Sequence, residues 1–156
     1  MREPFLIRRA VLGDLDRILE IERASFGPEA YDRKLFAAYQ TRCGSLFLVA
    51  ERRSRVCAYM ITCVRGGVFR SKAELVSVAV DPAARQRGAA SALLESTLRR
   101  LRRMGVSRLR LVVRVDNLPA QAFYGKYGFR RVRVVRGYYE DGGDGIAMGR
   151  AVRLRS

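Results

Sequence analysis

"ELVSVAVDPAARQRGAASALLESTLRRLRRMGVSRLRLVV", residues 74–113, changes its hydrophobic period twice. The β-branched run "ELVSVAV" has strand character and stops at Asp81-Pro82. From Ala90 the apolar residues recur at three and four, through Leu93, Leu94, Leu98, Leu101 and Met104, and Gly105 stands where a helix C-cap belongs. "SRLRLVVRV" then returns to strand character. A strand, a long amphipathic helix and a second strand make a β-α-β crossover, which joins parallel strands. The turn between strand and helix pairs Arg85 and Arg87 with Gly88, Ala89 and Ala90. A helix N-terminus offers unpaired N–H groups and partial positive charge, and these small residues leave them open to a pyrophosphate. The same small residues also permit close helix–sheet packing. Neither a Gly-Lys-Ser/Thr ending nor a GxGxxG spacing is present, which argues against a nucleoside triphosphatase or a dinucleotide oxidoreductase.

Outward from this unit, "FLIRRA" reads as a first strand and "GDLDRILEIERASF" as a helix with Leu15, Ile18, Leu19 and Glu22 at helical spacing, capped by Asp14. A second helix, about "YDRKLFAAYQ", ends before Cys43-Gly44. Three apolar runs follow, "SLFLVAER", "VCAYMITCVR" and "VFRSKAELVSVAVDP", the last two joined by a hairpin signal at Gly66-Gly67. After the crossover, "NLPAQAFYGKY" is a short helix with Pro119 in its first turn, "GFRRVRVVRGYY" a strand, "EDGGDG" a turn and "IAMGRAVRL" a last strand. The order is α+β, antiparallel strands first and the crossover second. A chain of 156 residues without repeat or linker reads as one domain, 1–156.

Composition narrows the chemistry. Histidine is absent, so a general acid or base must be a carboxylate, a tyrosine, a cysteine or a water they hold. Cys43, Cys57 and Cys63 lack metal-ligand spacing; buried reduced thiols and no metal site are expected. The formal charge of +16, mostly arginine, fits either a polyanion partner or a compositional bias. Acidic residues gather near the N-terminus, with Asp14, Asp16, Glu20, Glu22, Glu29 and Asp32, which could set one lip of a cleft apart. No apolar run is long enough for a membrane span, and charge interrupts the N-terminal stretch too early for a signal peptide; no membrane partner and a cytoplasmic location are expected.

The loop also resembles motif A of the GNAT superfamily of N-acetyltransferases, Arg/Gln-x-x-Gly-x-Gly/Ala, here Arg85, Gly88 and Ala90. "VSVAVDP" is similar to that family's fourth strand and "RVDNLPAQAFYGKYGF" to its motif B. "GYYEDGGDGIAM" resembles the C-terminal hairpin of protein N-terminal acetyltransferases. The register runs from residue 3 to 153 and looks most like the ribosomal-protein alanine N-acetyltransferases. The resemblance implies a three-layer α/β fold with a mixed, mostly antiparallel sheet splayed between strands 4 and 5 and about four flanking helices. It implies acetyl-coenzyme A as co-substrate.

Residue by residue, the resemblance places the backbone of Val78, Ala79 and Val80 along the pantetheine arm, with an N–H near Val78 facing the thioester oxygen. Arg85, Gln86, Arg87, Gly88, Ala89, Ala90 and Ser91 would surround the pyrophosphate. Asn117 would bind the coenzyme arm, a role compatible with a plain helix N-cap. Tyr124 matches the tyrosine that protonates the departing thiolate; without the motif it reads as a core aromatic. Tyr138 and Tyr139 resemble a tyrosine pair on the peptide-binding wall, and Tyr31 an aromatic on the opposite wall, although all three could simply pack.

The base is where the pattern departs. The alanine acetyltransferases commonly read L-E-V-R-x-x-N in the fifth strand, whereas this chain reads "LVVRVDN", with Val112 in the glutamate position. Glu74 offers a replacement, matching a fourth-strand glutamate of the histone-acetyltransferase branch; it also reads as a surface carboxylate paired with an arginine. Asp116 fits helix capping better. The resulting expectation is direct acetyl transfer to an amine, most simply a protein N-terminal α-amine. Lysine or small-amine acetylation on the same fold, and a non-catalytic RNA- or ribosome-binding module, are the alternatives.

Overall fold

A computed structural model describes residues 4–66 and 72–153. It contains seven strands, β1 (Leu6–Arg9), β2 (Phe47–Arg52), β3 (Arg55–Arg65), β4 (Lys72–Val80), β5 (Arg108–Arg114), β6 (Arg130–Val135) and β7 (Gly145–Ala151). Four α-helices accompany them, α1 (Leu15–Phe26), α2 (Arg33–Cys43), α3 (Ala89–Arg103) and α4 (Leu118–Lys126). The strands form one mixed sheet in the order β1-β2-β3-β4-β5-β7-β6. The crossover through α3 makes β4 and β5 parallel, paired at Lys72↔Arg108, Ala73↔Leu109 and Glu74↔Arg110. The ladder stops there while both strands run on, so the expected splay is present. The hairpin read at Gly66-Gly67 lies partly outside the described residues.

Two compact units divide the chain, Met1–Cys63 with Leu75–Arg103, and Val64–Glu74 with Met104–Ser156. In the first, Leu15, Ile18, Leu19 and Ile21 of α1 pack with Phe36 of α2, Phe47 and Val49 of β2, and Tyr59 and Ile61 of β3. Phe36 meets Tyr59 edge to face, ring centroids 5.3 Å apart. The stripe that predicted α3 is its buried face as far as Leu101: Leu93, Leu94 and Leu101 are fully enclosed, each contributing about 1.5–3 kcal/mol of burial, whereas Met104 lies beyond the helix and is exposed.

Two expectations are corrected here. Asp14 does not cap α1, because its backbone is already helical (φ −84°, ψ −14°) and its carboxylate is drawn back to β1. It accepts from Arg8 Nη1 at 2.8 Å, Arg8 Nη2 at 2.9 Å and the Val11 N–H at 2.8 Å. Nor are all three thiols reduced: Cys43 and Cys63 form a disulfide, Cα atoms 5.1 Å apart, and Cys57 is the buried free thiol. The β2–β3 pairing brings β3 back past the end of α2, which places the two cysteines together. Accordingly α2 runs through Cys43, one turn further than its sequence suggested, and starts from Asp32, whose carboxylate accepts the Leu35 N–H at 2.9 Å.

In the second unit β7 is central, antiparallel to both β5 and β6, with a bulge in β6 between Arg131 and Arg133. Arg150 of β7 is buried, and its guanidinium donates to the carbonyls of Tyr127 (2.6 Å), Ala151 (2.8 Å) and Val152 (3.2 Å). A buried cation is thereby satisfied by carbonyls, one of them at the end of α4.

Candidate active site

The first unit carries the loop from β4 into α3. Asp81 begins it: its carboxylate accepts the Ala83 N–H and is ion-paired to Arg17 of α1. Backbone at Gln86 (φ 64°) and Gly88 (φ 93°) is left-handed, an uncommon conformation for a glutamine. Left-handed residues within a turn are the building blocks of anion nests, in which successive N–H groups face a common point. Gly88 then caps the helix, its carbonyl accepting the Ala92 N–H at 3.0 Å. Ala89 is buried, Ala90 and Ser91 half-buried, and Gln86 and Arg87 exposed. The residues present therefore fit a pyrophosphate. Arg85 folds back instead, its guanidinium 3.4 Å from both the Val80 carbonyl and Ser25 Oγ.

The same unit holds Tyr31, whose ring lies 5.9 Å from Phe36 and 6.4 Å from Tyr39. Its N–H donates to Glu22 Oε2 at 2.8 Å. Glu22 is only 1% exposed, and burial, the leading cause, raises its pKa above the usual carboxylate range against the hydrogen bonds that lower it. Its other oxygen accepts from Tyr59 Oη, which also lies 2.8 Å from Ser77 Oγ on β4. Sequence reasoning placed Glu22 on the apolar stripe of α1 without assigning it a task. The signal was there, since a carboxylate among core positions requires partners. Among the other acidic residues of this region, Asp14 pairs with Arg8, Asp16 with Arg33 and Glu20 with Arg17, while Asp32 caps α2.

In the second unit, Asn117 caps α4, its Oδ1 accepting the Ala120 N–H at 3.2 Å. Tyr124, further along the helix, is 5% exposed between Phe123 and Phe129, with ring centroids 5.2 and 5.3 Å away. Burial raises its pKa well above the ordinary phenol value, so the hydroxyl keeps its proton at neutral pH. Tyr138 and Tyr139 meet edge to face at 5.0 Å, and Arg114 lies over the Tyr139 ring at 4.1 Å. Arg114 is itself held by Asp141, Nη1 to Oδ2 3.0 Å. Val112 of β5 sits against Gly145 of β7, where a Cβ would lie 2.5 Å from Val112 Cγ1. Glu74 Oε2 is 3.0 Å from Arg65 Nη2, the surface pairing that its sequence position also allowed.

Residues 15–129 match the pattern of the Acetyltransferase (GNAT) family. The chain belongs to the GNAT family. This GNAT chain is 33% identical to the N-alpha-acetyltransferase of Saccharolobus solfataricus over 155 residues, covering 94% of this chain and 92% of that one. The crystal structure of Ard1 from Thermoplasma volcanium superimposes with a TM-score of 0.91 at 28% identity, over 97% of this chain and all of the other. The ribosomal-protein-S18-alanine N-acetyltransferase of Escherichia coli gives 0.82 at 29% identity, covering 97% and 96%. As a GNAT enzyme the chain is an N-acetyltransferase with the mixed, splayed sheet that its motifs implied.

Proposed function

We propose that the protein acetylates the N-terminal α-amine of other proteins, using acetyl-coenzyme A, and that residues 1–156 work as a single acetyltransferase domain. The observation that carries the reading is the left-handed backbone at Gln86 and Gly88 opening α3, a cradle for the coenzyme pyrophosphate. In this reading Gln86 to Ser91 hold the pyrophosphate, Val78 to Val80 and Asn117 hold the pantetheine arm, and Tyr124 gives its proton to the departing thiolate. Tyr31, Tyr138 and Tyr139 line the peptide wall. The likeness to N-alpha- and alanine N-acetyltransferases supports the α-amine as acceptor. An α-amine, with a pKa near 8, yields its proton more easily than a lysine amine near 10.4. The family match across both units supports the single domain.

No described helix is long and apolar enough to cross a membrane, and we place the enzyme in the cytoplasm, where nascent protein N-termini arise. Exposed Arg130, Arg131 and Arg133 on β6 favour work close to ribosomal RNA. The test is mass spectrometry of a peptide bearing one free α-amine and one internal lysine after incubation with enzyme and acetyl-coenzyme A. Acetyl on the α-amine is expected; acetyl on the lysine alone, or on neither amine, refutes the reading.

A further inference from the structure

Glu22, Tyr59 and Ser77 form one hydrogen-bonded chain inside the first unit. Its inner end is fully enclosed: Glu22 is 1% and Tyr59 0% exposed. Its outer end, Ser77, is half-buried on β4, one residue before Val78. Tyr59 belongs to the core packed by α1 and α2, and Tyr31 packs on that same core. The second oxygen of the carboxylate fixes the Tyr31 backbone at 2.8 Å. A carboxylate has been taken out of water, at a cost of several kcal/mol unless compensated. Its compensation leads to a hydroxyl on the proposed coenzyme strand.

Resting on the N-acetyltransferase reading, we propose that Ser77, Tyr59 and Glu22 are the relay that removes the amine proton, with Glu22 its terminal acceptor. As the amine nitrogen bonds to the thioester carbon, the carbonyl π pair moves to its oxygen, to re-form when the C–S bond breaks, and the amine proton passes to Ser77 Oγ. The Ser77 proton moves to Tyr59 Oη, and the Tyr59 proton to Glu22 Oε1. The C–S bond then breaks, and the thiolate takes its proton from Tyr124. Glu22 then returns its proton to water through the same hydroxyls and Tyr124 takes one back from water, so that the enzyme is restored. The relay supplies the base in a chain with Val112 at the expected glutamate position and Glu74 paired to Arg65. Glu22 and Tyr59 act through Ser77 and are positioning residues.

The groups facing Glu22 suit this task. Tyr59 comes from β3 and Tyr31 from the segment between α1 and α2, both hydrogen-bonding to it; Ser77 from β4 joins through Tyr59, and Tyr39 of α2 packs on the same core. Among the described residues the hydrogen bonds to the carboxylate come from a neutral amide and a neutral phenol, neither of which carries charge to drain its basicity. Burial raises its affinity for a proton, and Tyr59 is itself held neutral, its pKa pushed well above the ordinary phenol value chiefly by burial. Activity therefore rises with pH as Glu22 ionises, in addition to the rise from the amine itself.

The experiment is the pH profile of kcat and kcat/KM for α-amine acetylation by the full chain and by Glu22→Gln, Tyr59→Phe and Ser77→Ala, with coenzyme affinity measured in parallel. The Glu22→Gln side chain keeps an oxygen for the Tyr31 N–H and a polar partner for Tyr59, but cannot take a proton. Each variant is expected to bind coenzyme within about twofold of wild type and to lose kcat by about tenfold or more. Each should also lose one ionisation from the acidic limb. Glu22→Gln combined with Tyr59→Phe should cost no more than either alone, as expected of a single chain. Wild-type acidic limbs and kcat within twofold in coenzyme-binding variants overturn the relay while leaving the enzyme assignment intact. Absence of transfer by wild type refutes the functional reading and the relay with it. Should Tyr59→Phe fail to fold, half-buried Ser77→Ala tests the same path.

Discussion

Cys43, on the last turn of α2, is covalently joined to Cys63 of β3 across a sequence separation of 20. Closing a loop of that length in the unfolded chain is worth about 3 kcal/mol in the chain-entropy account. For a chain of this size, each kcal/mol moves Tm by roughly 2–4 °C. The Cys43→Ser/Cys63→Ser double variant is expected to melt about 6–12 °C below the oxidised protein and to be insensitive to reductant. Thermal melts by circular dichroism, with and without dithiothreitol, check this. Equal Tm in oxidised and double-variant protein would mean that the bridge contributes nothing to stability.

Arg8 and Asp14 make a two-pronged pair, and Asp14 is held below the usual carboxylate range chiefly by the Arg8 hydrogen bonds, against the burial that would raise it. A depressed folded pKa means that the unfolded state binds the proton more readily. The stability is therefore present above the ordinary value, about 3.9, and is lost as pH falls through the lower folded value. Because Arg8 is about a third exposed, 32% for its side chain, solvent screening limits the contribution to about 1–2 kcal/mol. Asp14→Asn should cost that much at pH 7 in urea denaturation, and the gap from wild type should narrow as pH approaches about 3. A gap that stays constant would place the effect in packing instead.

How much of this was readable beforehand follows from the range of the interactions. The β-α-β crossover announces itself locally, through a change of period and through Asp81-Pro82 and Gly105. The Asn117 cap is equally local, three residues from its partner. Glu22 showed half its meaning, as a carboxylate at an apolar position. Its partner Tyr59 lies 37 residues away and is reached only when β3 packs against α1. Asp14 looked like a cap because no local rule announces that Arg8, six residues earlier, competes for it. The disulfide required knowing that β2 turns β3 back past α2, which spacing alone does not reveal.

Gly145 makes room for Val112. A Cβ at position 145 would lie 2.5 Å from Val112 Cγ1 and 3.5 Å from the Val113 carbonyl oxygen. Val112 is β-branched and has little rotamer freedom to retreat on a strand. Gly145→Ala should destabilise by about 1–3 kcal/mol, the usual range for overpacking. Adding Val112→Ala should recover most of that loss, since the clash is with its γ carbon. Denaturant midpoints of the single and double variants provide the measurement. Additive losses would show that the strain lies in the backbone of β7 and not in this side-chain contact.

Tyr124 is packed against Phe123 and Phe129, and burial raises its pKa well above the ordinary phenol value, which keeps the hydroxyl protonated and makes it a weak acid. Because that pKa is raised, the donor form persists throughout a normal assay range. Wild-type kcat should show no alkaline loss from this residue below about pH 10. Tyr124→Phe keeps the ring and its aromatic contacts, so Tm and coenzyme affinity should stay near wild type while kcat falls by about a hundredfold. Thiol release gives kcat, and calorimetric titration gives the coenzyme Kd. A weak donor should matter less when the leaving group is less basic, so the loss should shrink with an acetyl donor carrying a more acidic thiol. If Tyr124→Phe retains kcat within about twofold, the hydroxyl is not the proton source and the ring is a packing residue of α4. If kcat falls equally with every donor, the loss lies before C–S cleavage and the assignment to thiolate protonation fails.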